Sequence, residues 1–133
     1  MKKTFKQLRE FNLYAQFLME RKPEIKETKF GYAMKRFVDK NLTKPFNDFN
    51  ADLDIVRIDH ALVDEKTKAI LHSEKGSLRP FQYSKEGLKA VIKGENDLIA
   101  QWMDKEFEVE PYICKEKPEL TEEEIEAFKG LII

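Results

Sequence analysis

The sequence predicts an α+β fold with more helix than sheet. Three observations predict it: apolar residues recur at spacings of three and four in several segments, one segment alternates apolar and acidic residues, and short extended pieces surround a polar turn. The 133 residues fit one domain, 1–133, and 41% hydrophobic residues with 10 Phe suffice for a core. The expected architecture is an N-terminal helical hairpin, or three helices, packed on a small antiparallel sheet. One longer helix in the C-terminal half and a short final helix complete it.

Thr4 and Gln7 form a capping box, which starts the first helix. Phe5, Leu8, Phe11, Ala15 and Leu18 mark its apolar face, Tyr14 and Phe17 widen it, and Pro23 ends it. A second helical pattern opens near Thr28 with Phe30, Ala33, Met34, Phe37 and Val38. Phe46, Phe49, Leu53 and Val56 continue at the same spacing beyond Pro45. Two readings are open: Thr43 caps a new helix with Pro45 in its first turn, or one long helix kinks at Pro45. The break is preferred.

Ala61-Leu62-Val63 and Ala69-Ile70-Leu71 read as short strands or extended arms around the turn 64–68. Lys75-Gly76 and Pro80 mark a loop, and Phe81-Gln82-Tyr83 is extended. Ser84 caps a helix that places Leu88, Val91, Ile92, Ile99, Trp102 and Met103 on one face, with Gly94 weakening its middle. Phe107, Val109 and Ile113 alternate with Glu106, Glu108 and Glu110, which predicts a half-exposed strand, at an edge because of Pro111. Thr121 and Glu124 form a second capping box before Ile125 and Phe128, and Gly130 is the stop. The expected core is Leu8, Phe11, Phe30, Met34, Phe37, Phe49, Leu53, Leu88, Val91, Ile99, Trp102, Val109 and Phe128.

Charge is divided along the chain. Residues 1–44 carry 12 Lys/Arg against 5 Asp/Glu, and the remainder carries 12 against 20, so halves of +7 and −8 sum to −1. Such a division can bind other molecules, or copies of the chain, electrostatically. The single cysteine, Cys114, excludes an internal disulfide and reads as a buried or edge position. No stretch approaches the ~18 apolar residues that span a membrane. The start Met1-Lys2-Lys3-Thr4-Phe5 lacks the apolar core of a signal peptide.

Candidate chemical sites are few. Asp48, Asn50 and Asp52 match the first calcium-loop positions, but Leu53 stands where such a loop needs Gly, so no metal is expected. His60 and His72 are 12 residues apart and unsuited to zinc; His60 reads as a helix-end residue and His72 as a loop residue. Ser73, Ser77 or Ser84 could be matched with a histidine on paper, as in any chain of this length. His60 with Asp59 and Asp64 at a helix-to-strand junction defines a third reading, a small enzyme or inhibitor. Glu122-Glu123-Glu124 meets the positive end of a helix dipole without needing a catalytic role. No catalytic set, phosphate-cradling glycine loop or cofactor is predicted.

The basic segment is richer. Lys22, Lys26, Lys29, Lys35 and Arg36 surround Phe30, Tyr32 and Phe37, a pattern that can hold phosphates and stack bases. Against it, Phe30 and Phe37 fall on the core stripe. At the other end, the apolar tail Leu131-Ile132-Ile133 should dock, into its own core or onto a neighbouring subunit as an interface.

Several stretches carry a resemblance: Phe30-Gly31-Tyr32-Ala33-Met34 to Asn41-Leu42, Ile58-Asp59-His60 running into 64–68, the helix with Trp102, Phe107-Glu108-Val109, and Leu120 to Ile133. In order and spacing the chain resembles small tailed-bacteriophage proteins of unassigned function. The resemblance implies a phage-encoded accessory, assembly or virion-associated protein in the host cytoplasm or virion, and no catalytic residues. The expectation is therefore a non-enzymatic protein that acts through protein partners, other phage proteins or a homo-oligomer. Nucleic-acid binding through the basic half is the alternative, and no membrane role is expected.

Overall fold

The structure is a computed structural model that describes residues 1–132. It is helix-rich with a small two-stranded antiparallel sheet. In chain order the elements are β1 (Lys2–Thr4), α1 (Phe5–Arg21), a 3₁₀ turn (Pro23–Glu27), α2 (Lys29–Phe37), a π-helical turn (Val38–Leu42) and α3 (Thr43–Asp59). They continue with α4 (Lys85–Met103), β2 (Glu106–Glu108) and α5 (Glu122–Phe128). Two compact units result. The first comprises Met1–Asn47 and Trp102–Ile133, the second Asp48–Gln101.

In the first unit the Thr4 capping box is formed: its side chain accepts from the Gln7 amide and Gln7 returns to the Thr4 amide. α1 buries Phe5, Leu8, Phe11, Ala15 and Leu18, the residues of its three-four stripe. Phe17 does not widen that face; it is exposed. Thr28 caps α2 through the Gly31 amide. Phe11 meets Phe37 and Phe128 at ring-centroid distances of 4.6 and 5.2 Å, joining α1, α2 and α5 in one core.

The preferred break before Pro45 is not found. Backbone angles at Val38 and Thr43 are helical, and the chain runs without interruption from α2 to α3. Thr43 has helical backbone angles rather than the extended ones of an N-cap, and its hydroxyl donates to the Val38 carbonyl at 3.3 Å. Pro45 has no amide hydrogen, and its ring crowds the carbonyl four residues back, at Asn41. The widened π turn ends at that point and relieves the crowding without ending the helix.

The sheet is built from different residues than expected. β2 was legible from its alternation, but its partner is the N-terminal β1, with Lys2 opposite Glu108 and Thr4 opposite Glu106. Val109 is buried beyond β2, whereas Ile113 is exposed rather than part of the strand. Thr121 closes its capping box with Glu124, and Gly130 ends the chain's last turn at φ +73°. Leu131 and Ile132 then fold into the core of this unit. Phe128 is buried with them, whereas Ile125 is exposed.

In the second unit, α3 buries Phe49 and Leu53, and α4 buries Val91. A Cβ on Gly94 would lie 2.8 Å from Val56 Cγ1, so this glycine permits close approach of the two helices. The expected arms at 61–63 and 69–71 meet at one bridge, Val63 with Ile70, and His72 bridges Phe81. Lys68, at φ +64°, closes the polar turn. Ser84 caps α4 through the Gly87 amide. Of the expected core residues here, Leu88 is exposed and Ile99 only half-buried.

Candidate functional site

Part of the charge division of the sequence closes within the first unit. The N-terminal amine pairs with Glu108 at 2.6 Å, Arg21 with Glu124 at 2.7 Å, Lys29 with Glu116 at 3.3 Å and Lys40 with Glu110 at 3.6 Å. Antiparallel pairing of β1 with β2 and packing of α5 on α1 bring the basic start of the chain to its acidic end. The three exposed pairs, those of the N-terminal amine, Lys29 and Lys40, contribute little each, about 0–1 kcal/mol, whereas the Glu124 carboxylate is buried.

That closure sorts the five cations considered for phosphate. Lys22 donates to the Glu119 carbonyl at 3.4 Å, Lys29 pairs with Glu116, and Arg36 lies 5.9 Å above the Tyr112 ring. These three turn to the 110–119 segment. Lys26 and Lys35 instead line an open groove of about 660 Å³ between α1 and α2. Phe30 and Phe37 are fully buried, so only Tyr32, which is 55% exposed, offers an aromatic ring there.

The groove follows from the geometry of two neighbouring helices. Residues 12, 15, 16, 19 and 20 of α1 share one face by the i, i+3, i+4 rule, and Gly31, Met34, Lys35 and Val38 share the facing side of α2 and the π turn. Gly31 sits hard against the 3₁₀ turn: a Cβ there would be 2.1 Å from the Ile25 carbonyl oxygen. The floor is apolar, from Ala15, Met19, Met34 and Val38, and the rim carries Lys26 and Lys35 with Glu20 and Glu27. A methionine-lined floor adapts to differently shaped apolar side chains. The sequence signal for this site is Tyr32, an aromatic that falls off the Phe30, Met34, Phe37 stripe.

Two buried carboxylates anchor the scaffold. Burial pushes the Glu124 carboxyl up, but the Arg21 guanidinium and the Thr121 amide outweigh it and hold it below the usual range. Its second oxygen, Oε2, is buried with no hydrogen-bond partner among the described residues. Glu95, in the second unit, likewise overcomes burial through Arg57 at 2.8 Å and Arg79 at 2.9 Å, and remains depressed. Tyr83 donates to the Arg57 carbonyl at 3.1 Å and completes this clamp.

The remaining candidates lie elsewhere. Asp48 to Asp59 is continuous helix, so the calcium-like loop does not form. His60 is exposed at the end of α3. Asp64 accepts from the amides of Thr67 and Lys66, which lower its pKa and commit it to the turn. The His72 ring packs edge-on against Phe81 at 5.4 Å. Among the described residues no three His, Cys, Asp or Glu side chains gather as ion ligands, and no helix is long and apolar enough to cross a membrane. Leu131 and Ile132, considered as an interface, are 2% and 4% exposed in the unit's own core, and Ile133 lies outside the described residues. No known protein family, curated protein or solved structure matches this chain.

Proposed function

We propose that this chain is a non-enzymatic interaction protein, of the phage-encoded accessory, assembly or virion-associated type, that receives a segment of a protein partner in the α1–α2 groove. One observation carries the reading: an open groove with a methionine floor, an exposed tyrosine and a rim of both charge signs. Concave apolar floors with few polar rim groups are where partners anchor. The resemblance in order and spacing of segments to small tailed-phage proteins is what suggests the phage context.

The test is affinity capture from the native source with wild-type protein, a Met19→Ser/Tyr32→Ser groove variant, and Ile125→Ser as control. Ile125 is exposed on α5, outside the groove. The proposal expects proteins captured by wild type and control to be lost from the groove variant. Equal capture by all three would refute it.

A second reading has its own observation: Lys26, Lys35 and Tyr32 share the groove, as a nucleic-acid strand would require. Glu20 and Glu27 in the same rim oppose it. Titration of labelled single- and double-stranded DNA at low salt, where phosphate affinity is greatest, decides it.

A further inference from the structure

We infer that the groove between α1 and α5 is a second docking site, which takes a cationic amphipathic segment of a partner protein. The inference goes beyond the α1–α2 groove and does not depend on it.

α1 and α5 run antiparallel: Arg21 reaches Glu124 at one end of the pair, and Phe11 meets Phe128 further along. Between them opens a groove of about 680 Å³ with Tyr14, Ala127 and Leu131 as its apolar floor. On α1, Glu10, Leu13, Tyr14 and Phe17 fall within an arc of about 100° at 100° per residue. Leu13 is 45% and Phe17 48% exposed, and the Phe17 ring stands edge-on to Tyr14 at 6.0 Å. Leu13 and Phe17, one turn apart, form an apolar ledge beside the floor. A helix laid in a groove anchors its own apolar face on such points.

The charges choose the occupant. The groove is lined by Glu10, Glu122, Glu123 and Glu126 against Lys3 and Lys129, a net of −2. The signs are segregated. Lys3 and Lys129 mark the end where the last turn meets the start of the chain, since a Cβ on Gly130 would lie 3.4 Å from Met1 Cε. The glutamates hold the middle and the end nearer Arg21. None of these six forms an ion pair or a side-chain hydrogen bond among the described residues, whereas Arg21 and Glu124 neutralise each other. Lys6 and Arg9 line a separate hollow with Phe46. The dipole of α5 offsets part of the charge on Glu122 and Glu123, but Glu10 and Glu126 lie past the first turns of their helices and keep theirs. An occupant that carries phosphate is repelled here. A segment with Lys or Arg on one face and apolar side chains on the other complements both the carboxylates and the ledge.

Fluorescence anisotropy at low salt tests it, with a labelled amphipathic Lys/Leu peptide as probe and the matching Glu/Leu peptide for comparison. The proteins are wild type, Glu10→Gln/Glu126→Gln, Leu13→Ser/Phe17→Ser, and Glu65→Gln/Glu74→Gln, which makes the same charge change at exposed positions elsewhere. Circular dichroism verifies folding; should the serine variant unfold, the glutamine variants decide alone. Wild type should bind the Lys/Leu peptide, more weakly as salt rises, and leave the Glu/Leu peptide free. The Glu10/Glu126 variant should lose about tenfold in affinity, the worth of two exposed ion pairs. The serine variant should also bind more weakly, and the Glu65/Glu74 variant as wild type does. No binding by wild type, equal binding of both peptides, or equal loss in the two glutamine variants overturns the inference. Met19→Ser/Tyr32→Ser should bind the peptide like wild type. Loss of binding there would place the peptide in the α1–α2 groove and overturn the second site while leaving the first.

Discussion

Replacing Gly31 by alanine places a methyl group where the chain has no room for one. The new Cβ would lie 2.1 Å from the Ile25 carbonyl oxygen and 2.9 Å from both the Ile25 carbonyl carbon and Lys26 Cα. Real Cβ contacts stay above 3.0 Å, so the 3₁₀ turn and α2 must part by about 1 Å, and the obstacle is backbone that cannot swing aside. Two effects compete. Alanine gains about 1 kcal/mol of helix propensity over glycine. Overpacking costs typically 1–3 kcal/mol, at the upper end when backbone must move. Separation also lifts Ile25, which is 2% exposed, from its packing. The balance is a net loss of about 1–2 kcal/mol. Urea unfolding followed by far-ultraviolet circular dichroism measures it: the midpoint should fall with the slope unchanged. A Gly31→Ala protein as stable as wild type, or more so, would refute the close approach of the turn to α2.

Three further outcomes are expected. Deleting residues 131–133 removes the buried Leu131 and Ile132, at roughly 1.5–3 kcal/mol each, so a thermal scan should show a large drop or lost cooperativity; an unchanged melting temperature would contradict their place in the core. Thr121→Ala should cost about 1 kcal/mol by opening the α5 capping box, read as a lower urea midpoint, and no change would mean the cap contributes nothing. The Glu124 carboxyl is depressed in the folded chain, so its stabilisation is complete above the unfolded value of about 4.3 and is lost as pH falls through the lower folded value. Melting temperature against pH should therefore fall less steeply below about pH 4 in Glu124→Gln than in wild type, and identical slopes would rule out the ion pair with Arg21.

Local signals read correctly where one short segment determines the outcome. The capping boxes at Thr4 and Thr121, the stripe from Phe5 to Leu18 and the stop at Gly130 each depend on neighbours within a turn or two. The continuous helix through Pro45 did not read, because the relief is a π turn placed upstream of the proline and has no residue signature of its own. β1 did not read because three residues, Lys2 to Thr4, carry no alternation; their strand state comes from Phe107 and Glu108, far away in sequence. Leu88 and Ile99 were placed in the core by a helical period that fixes which residues share a face and not what covers it. The groove was half legible: the basic residues and Tyr32 stood out. That Lys22, Lys29 and Arg36 turn to residues 110–119 depends on how the chain's end packs. The pairs between the two charged ends likewise turn part of the division of +7 and −8 inward, into the fold.

The central claim is that the α1–α2 groove is where partners bind. Its most direct measurement is site-specific photo-crosslinking in the native source, with benzoyl-phenylalanine placed at Tyr32 and, as a control, at Glu65 in the exposed polar turn. The account predicts a discrete adduct from position 32 that disappears when Met19→Ser is added, and none from position 65. Equal labelling from both positions, or no adduct at position 32, would contradict it.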